Sequence, residues 1–197
     1  MRLLYSALSP FARKVRIVAH ENGLTGAITL ETASPFTDES LRALNPLSQV
    51  PTLILDDGEI LFDSAVICDH LDALGGAGLI PASGQDRRRA LTLQALADGM
   101  GSAAVAVVRE RMRPADDQRP ELLERQLRAI TAGLDLLETQ AFTVDRFTIA
   151  EIAVAAQLAY FDARKVLDWR VGRPALEAWF EAVARRDSLV VTSVQLA

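Results

Sequence analysis

Residues 3–15, Leu3-Leu4-Tyr5-Ser6-Ala7-Leu8-Ser9-Pro10-Phe11-Ala12-Arg13-Lys14-Val15, place a strand, a turn and a helix start in immediate succession. Leu3, Leu4 and Tyr5 read as a short buried strand. Ser9 then suits a helix N-cap and Pro10 the first helical position, where its missing N–H costs nothing. Phe11, Val15, Val18 and Ala19 share one face of the helix that follows, and Asn22-Gly23 ends it. Working outward, Ile28-Thr29-Leu30 reads as a second strand, and residues 38–44 as a short helix. Thr52-Leu53-Ile54-Leu55 and Glu59-Ile60-Leu61-Phe62 flank Asp56-Asp57-Gly58, a strong hairpin signal. Residues 63–74 return to a helical period with Ile67, Leu71 and Leu74 on one stripe. The order β-α-β-α-β-β-α predicts an α/β unit around a mixed sheet.

Beyond it, Gly75-Gly76-Ala77-Gly78, Pro81, Ser83 and Gly84 break the pattern. The chain therefore divides into a first domain at 1–76, a linker at 77–85 and a second domain at 86–197. The second domain carries helical periods and no strand. One long helix is expected over 91–112, stopped near Pro114. An amphipathic helix follows on Leu123, Leu127, Ile130, Leu134 and Leu137. Thr148 and Glu151 form a capping box at the head of a third, with Phe147 and Ile152 placed as a hydrophobic staple. A last helix opens at Pro174.

Composition narrows the function classes. Of 197 residues half are apolar and 24% charged, with a net charge of −5, which predicts a soluble chain with no general attraction for nucleic acid or anionic membrane. The apolar runs read as shorter than a membrane span, and no signal peptide is visible. Cys68 is the single cysteine, so no intrachain disulfide forms, in keeping with a reducing, cytoplasmic setting. His20 and His70 stand alone without metal-ligand spacing, and no metal is expected. Arg87-Arg88-Arg89 reads as a solvated helix face. Arg109, Arg111 and Arg113 suit the C-terminal end of a helix dipole.

Three stations carry chemistry. A helix N-terminus offers free N–H groups, so Ser9 could hold an anion there as well as cap. A thiol with a pKa near 8.5 is only a few per cent ionised at neutral pH, and donors aimed at its sulfur favour the nucleophilic thiolate. Tyr5 and Ser6 are rivals for that role. Pro51 is unexpected within a sheet sequence. A cis Val50–Pro51 bond would turn the Val50 N–H and C=O toward an extended peptide. Asp63 and Ser64 open another helix, where the carboxylate suits an ammonium and the hydroxyl suits a carboxylate. Gln49 could add an amide contact. Cys68 reads as a small packed residue.

These blocks, residues 5–17, 45–53 and 63–71, together with 147–155 and 178–189, resemble in order those of a cytosolic glutathione S-transferase with a serine-type active site. The resemblance implies a thioredoxin-like N-terminal domain and an all-helical C-terminal domain. It further implies glutathione as co-substrate, a homodimer, and a detoxifying attack of the glutathione thiolate on an electrophilic small molecule or a peroxide. Ser9 would be catalytic, and Phe11, Gln49, Val50, Pro51, Asp63 and Ser64 would bind glutathione. The same scaffold also serves as a non-catalytic glutathione-binding or protein-interaction module, or as a glutathione-dependent isomerase or dehalogenase. The end of the long helix would overlook the second-substrate pocket, with Phe11, Phe36, Met112, Tyr160 and Trp169 as its apolar lining and an anionic acceptor as an option. Relatives usually carry Glu where this chain has Asp63, and many carry Lys or Arg at the position of Gln49.

Overall fold

The computed structural model describes residues 1–193. Strands β1 (Arg2–Tyr5), β2 (Thr29–Thr32), β3 (Thr52–Ile54) and β4 (Ile60–Leu61) form one sheet in the order β2-β1-β3-β4. β1 runs parallel to β2 and antiparallel to β3, and β3 pairs antiparallel with β4. The second strand lies slightly later than its apolar run suggested, because Thr29 pairs with Arg2 and the register continues to Thr32 beside Tyr5. Alternation in β1 sends Leu3 and Leu4 to opposite faces. Leu3 joins the large core with Val15, Val18 and Leu71, while Leu4 packs with Ala33, Leu41 and Val50.

Helices α1 (Pro10–Glu21) and α3 (Ser64–Gly75) therefore share the Leu3 side, and α2 (Glu39–Leu44) belongs to the Leu4 side. Asp38 caps α2, accepting from the Ser40 and Leu41 amides. The segment after α3 is pinned. The Asp72 carboxylate accepts from the amides of Leu79 (2.9 Å) and Ile80 (2.8 Å), and Asn22 Oδ1 accepts from the amide of Ala77 (3.0 Å).

The long helix α4 spans Gly84–Arg111, starting earlier than its apolar periodicity did. By length and composition it could cross a membrane, with mean hydropathy 1.4 over its most apolar window, contrary to the expectation that every apolar run is too short. Here it packs between α5 (Pro120–Glu138) and α6 (Ile149–Arg164). Gly133 of α5 leaves room for Met100, and Gly101 leaves room for Gln157 of α6; a Cβ at either glycine would collide. Residues 149–158 of α6 are all buried. A helix apolar on every side belongs in a core, and α6 packs against α1 as well as α4, joining the two halves in one apolar cluster.

The capping box at the head of α6 is formed, with the Thr148 amide donating to Glu151 (2.9 Å). Arg89 reaches the fully buried Glu151 carboxylate (3.2 Å), and Arg87 donates to the Pro81 carbonyl (3.1 Å). The Arg87–Arg89 run is thus no solvated face, since two of its members tie α4 to its surroundings. After α7 (Pro174–Val183), a short helix α8 (Asp187–Val191) returns the chain to α1. Sequence periodicity missed it because so short a helix offers barely one turn of pattern. Arg186 and Ser188 both bond Glu21. Arg13, buried with its pKa lowered to about 10 by loss of solvent, donates to the Leu189 carbonyl at 3.1 Å.

Candidate functional site

A cleft of about 640 Å³ opens between the sheet-bearing half and the helices α4 and α6. Ser9, Phe11, Gln49, Val50, Pro51, Asp63 and Ser64 all line it. The fold brings them together because α1 and α3 both begin at this edge of the sheet and the loop before β3 lies between them. Ser9 caps α1, accepting from the Ala12 amide at 3.2 Å. A hydroxyl has two lone pairs and one hydrogen, so that bond leaves the hydrogen of Ser9 available to the cleft. Ser6 also lines the cleft. Tyr5 does not; Arg16 stacks over its ring at 5.3 Å.

The loop before β3 is fixed by Asn45, a residue whose part was hidden in sequence behind its neighbour Pro46. Asn45 is 1% exposed. Its amide donates to the Gln49 carbonyl (3.1 Å) and Thr52 Oγ1 (3.2 Å), while its Oδ1 accepts from the Leu47 amide (3.0 Å). The Val50–Pro51 bond is cis. Among the described residues the main-chain N–H and C=O of Val50 have no hydrogen-bond partner.

At the head of α3, Asp63 Oδ1 accepts from the Ala65 amide at 2.7 Å and its carboxylate is otherwise exposed to the cleft. Ser64 is 2% exposed, and its hydroxyl has no partner among the described residues. From α4, Asp98 enters the same cleft. One of its oxygens meets the fully buried Lys14 ammonium at 2.5 Å; the other is buried without a partner. Burial pushes the Asp98 pKa up, opposed by Lys14. Lys14 and Asp98 escaped sequence reading as a site pair because they are far apart in the chain and meet only when α1 docks on α4.

Further along, α4 and α6 contribute Val105, Val108, Arg109, Met112, Tyr160 and Arg164. Phe36 stands opposite, with the Arg109 guanidinium 5.0 Å from its ring centre. Of the expected apolar lining, Trp169 is absent: it is fully buried, edge-on to Phe180, with its indole N–H donating to Asp162 (2.8 Å). Arg111 and Arg113 also turn elsewhere, Arg111 to the carbonyls of Lys165 and Val166 and Arg113 to that of Asp117. Cys68 lies in the core, and burial raises its thiol pKa to about 12, so it is an inert packing residue.

A mixed four-stranded sheet followed by a helical bundle, with a cleft at the junction, defines the glutathione transferase fold. Residues 8–74 match the glutathione S-transferase N-terminal domain and residues 120–182 its C-terminal domain. The chain is 34% identical to the uncharacterized GST-like protein YibF of Escherichia coli K12, over 98% of each chain. A glutathione transferase family member from Pseudomonas fluorescens Pf-5, solved with bound glutathione, superposes with a TM-score of 0.94 at 38% identity, covering 99% of each chain. A second structure from that organism, with bound S-(propanoic acid)-glutathione, gives a TM-score of 0.89 at 36% identity over 100% of each chain. The chain belongs to the glutathione S-transferase family.

Proposed function

We propose that this chain is a serine-type glutathione transferase in which Ser9 holds the glutathione sulfur as a thiolate for attack on an electrophilic carbon. The carrying observation is the Ser9 hydroxyl: a lone pair takes the Ala12 amide, and its hydrogen remains for a ligand at the head of α1. A donor there favours the anionic sulfur, as does the positive end of the α1 dipole. In the reaction the thiol proton goes to solvent, the carbon–sulfur bond forms, and the leaving group departs with its electron pair.

The rest of the tripeptide has partners in the same cleft. Val50 offers its main-chain groups to an extended backbone in the manner of an added strand. Asp63 and Asp98 suit an ammonium and Ser64 a carboxylate, and the Ser64 hydroxyl and one Asp98 oxygen are buried beside the cleft without a protein partner among the described residues. Buried polar groups left without partners cost stability, which favours an occupant that supplies them. Bound glutathione and its S-conjugate in the Pseudomonas relative support the same reading.

The test is the ultraviolet absorbance of the bound glutathione thiolate as a function of pH, for wild type and Ser9→Ala. The expected result is a thiol pKa well below its free value in wild type that returns toward it in the variant, with turnover reduced about 100-fold. Binding without a shift would leave a glutathione-binding module, and a shift that survives in Ser9→Ala would transfer the role to Ser6 or the backbone.

A further inference from the structure

Helix α4 provides a ruler for the cleft. Asp98, Ser102, Val105, Arg109 and Met112 all line it and recur at spacings of four and three, so they occupy one face. At a rise of about 1.5 Å per residue, Asp98 and Arg109 stand about 16 Å apart along that wall. The charges are divided accordingly. The acidic side chains of the cleft, Asp63 and Asp98, are at one end, and Arg109 is at the other, with Arg164 from the last turn of α6. A tripeptide spans at most roughly 11 Å, or a little more through a side-chain amide, less than the rise of that wall, so one anchored at Asp63 and Asp98 leaves part of the cleft to a second group.

Nothing else in the described residues engages these two cations. Neither has a carboxylate within 4.0 Å or a hydrogen-bond acceptor among the described residues; Arg109 only covers the Phe36 ring, 5.0 Å away. The duty of neutralising helix carbonyls in this region belongs to Arg111, bonded to Lys165 and Val166 at 3.1 and 2.9 Å. Tyr160, one turn before Arg164 and lining the same cleft, also has no hydrogen-bond partner for its hydroxyl among the described residues. Burial raises the Tyr160 pKa, and the charges of Arg164 and Arg109 oppose that rise. Two guanidinium groups and a phenol donor beside Phe36 and Met112 make a surface for an anion attached to an apolar body. Guanidinium groups match carboxylates with paired, charge-assisted bonds.

We propose that Arg109, Arg164 and Tyr160 form an anion subsite that selects acceptors bearing a carboxylate on an apolar, ring-sized body. This rests on the glutathione transferase reading above and specifies the substrate class of the same cleft.

The experiment is calorimetric titration of the full chain with three probes: glutathione, S-benzylglutathione and its para-carboxybenzyl counterpart. It is run on wild type, Arg109→Gln, Arg164→Gln and the double variant, each checked for a native circular dichroism spectrum. The carboxylated conjugate should bind wild type at least about tenfold more tightly than the benzyl conjugate, the order expected of one charge-assisted contact. The double variant should lose that preference while keeping its affinity for glutathione and the benzyl conjugate. Equal binding of the two conjugates by wild type overturns the subsite. So does a loss of affinity for glutathione itself in the variants, which would assign the arginines to the tripeptide. Wild type that binds conjugates without preference leaves the transferase reading standing, whereas wild type that binds none of the three removes both.

Discussion

The two ends of the cleft are built differently. The Ser9–Ser64 end consists of helix caps and main chain: Ser64 and Val50 are 2% and 8% exposed, and the loop between them is fastened by Asn45. The Arg109 end adds to buried Val108 and Tyr160 a rim of long side chains, with Phe36 and Met112 at 74% and 75% exposure. Groups held by secondary structure keep their positions when a ligand departs. Long exposed side chains keep more rotamers and lose them on binding, at a cost of about 0.5–1.5 kcal/mol each. One end is thus suited to a constant ligand and the other to a varied one, a division that follows from construction rather than from residue chemistry alone.

The largest effect should come from breaking the junction that holds the constant end. In Lys14→Met the Asp98 carboxylate loses its counter-charge while still largely out of water, and removing one partner of such a pair costs about 3–5 kcal/mol. Urea denaturation should report that loss, and the double variant Lys14→Met/Asp98→Leu should recover most of it. Failure of the double variant to recover would show that Lys14 acts through packing rather than charge.

A smaller contrast comes from truncating one residue at each end. Ser64→Ala should weaken glutathione binding by about tenfold, as expected for one hydrogen bond to a charged group. Phe36→Ala should leave glutathione affinity almost unchanged and raise KM for apolar acceptors about threefold, through partial loss of contact area. Equal sensitivity of glutathione binding to both substitutions would erase the distinction between the ends.

The smallest effect concerns how the variable end is carried. Glu110, beside Arg109, accepts from Arg119 Nη2 at 2.7 Å, from Arg119 Nε at 3.1 Å and from the Arg119 amide at 2.7 Å. The Arg119 side-chain bonds hold the Glu110 carboxyl at about 2, below its ordinary 4.5. A carboxylate whose pKa falls on folding contributes stability above its unfolded pKa and loses it as pH drops toward the folded one. The stability gap between wild type and Glu110→Gln, measured by urea midpoints, should therefore be constant from pH 7 to about 5 and close progressively between about 4.5 and 2. A gap that persists at the acid limit would assign the role to side-chain shape.

Much of this cleft was legible in sequence because its constant end is made of local signals. Ser9-Pro10 and Asp63-Ser64 are cap sequences, and a cap is decided within a few residues of itself. Gln49, Val50 and Pro51 sit in a loop whose anomaly, a proline where a strand should begin, is equally local. The partners that complete the cleft are not local. Asp98 meets Lys14 across 84 residues, and Arg164 reaches the cleft only because α6 ends there. Trp169 failed as a lining residue for the same reason: an aromatic side chain on a loop after a helix has no direction until its neighbours are placed. Periodicity starts α4 at residue 91 rather than Gly84, although Arg87–Arg89 read as a helix face, because residues 84–90 are polar and carry little apolar periodicity.

The Lys14 contact also has a consequence for how the protein is made. A chain emerging from the ribosome completes its first four strands and three helices well before Asp98 and α6 exist. During that interval the α1 face that will bury Lys14, and later Arg13 against Leu189, has only water or a chaperone to cover it. The sheet-bearing half can assemble its own strand order, but its first helix is closed only when α4, α6 and α8 pack against it. A nascent chain stalled before α6 should therefore be a substrate for holdase chaperones, and the emergence of α6, which carries Tyr160 and Arg164, sets the moment at which the cleft is first lined on both sides.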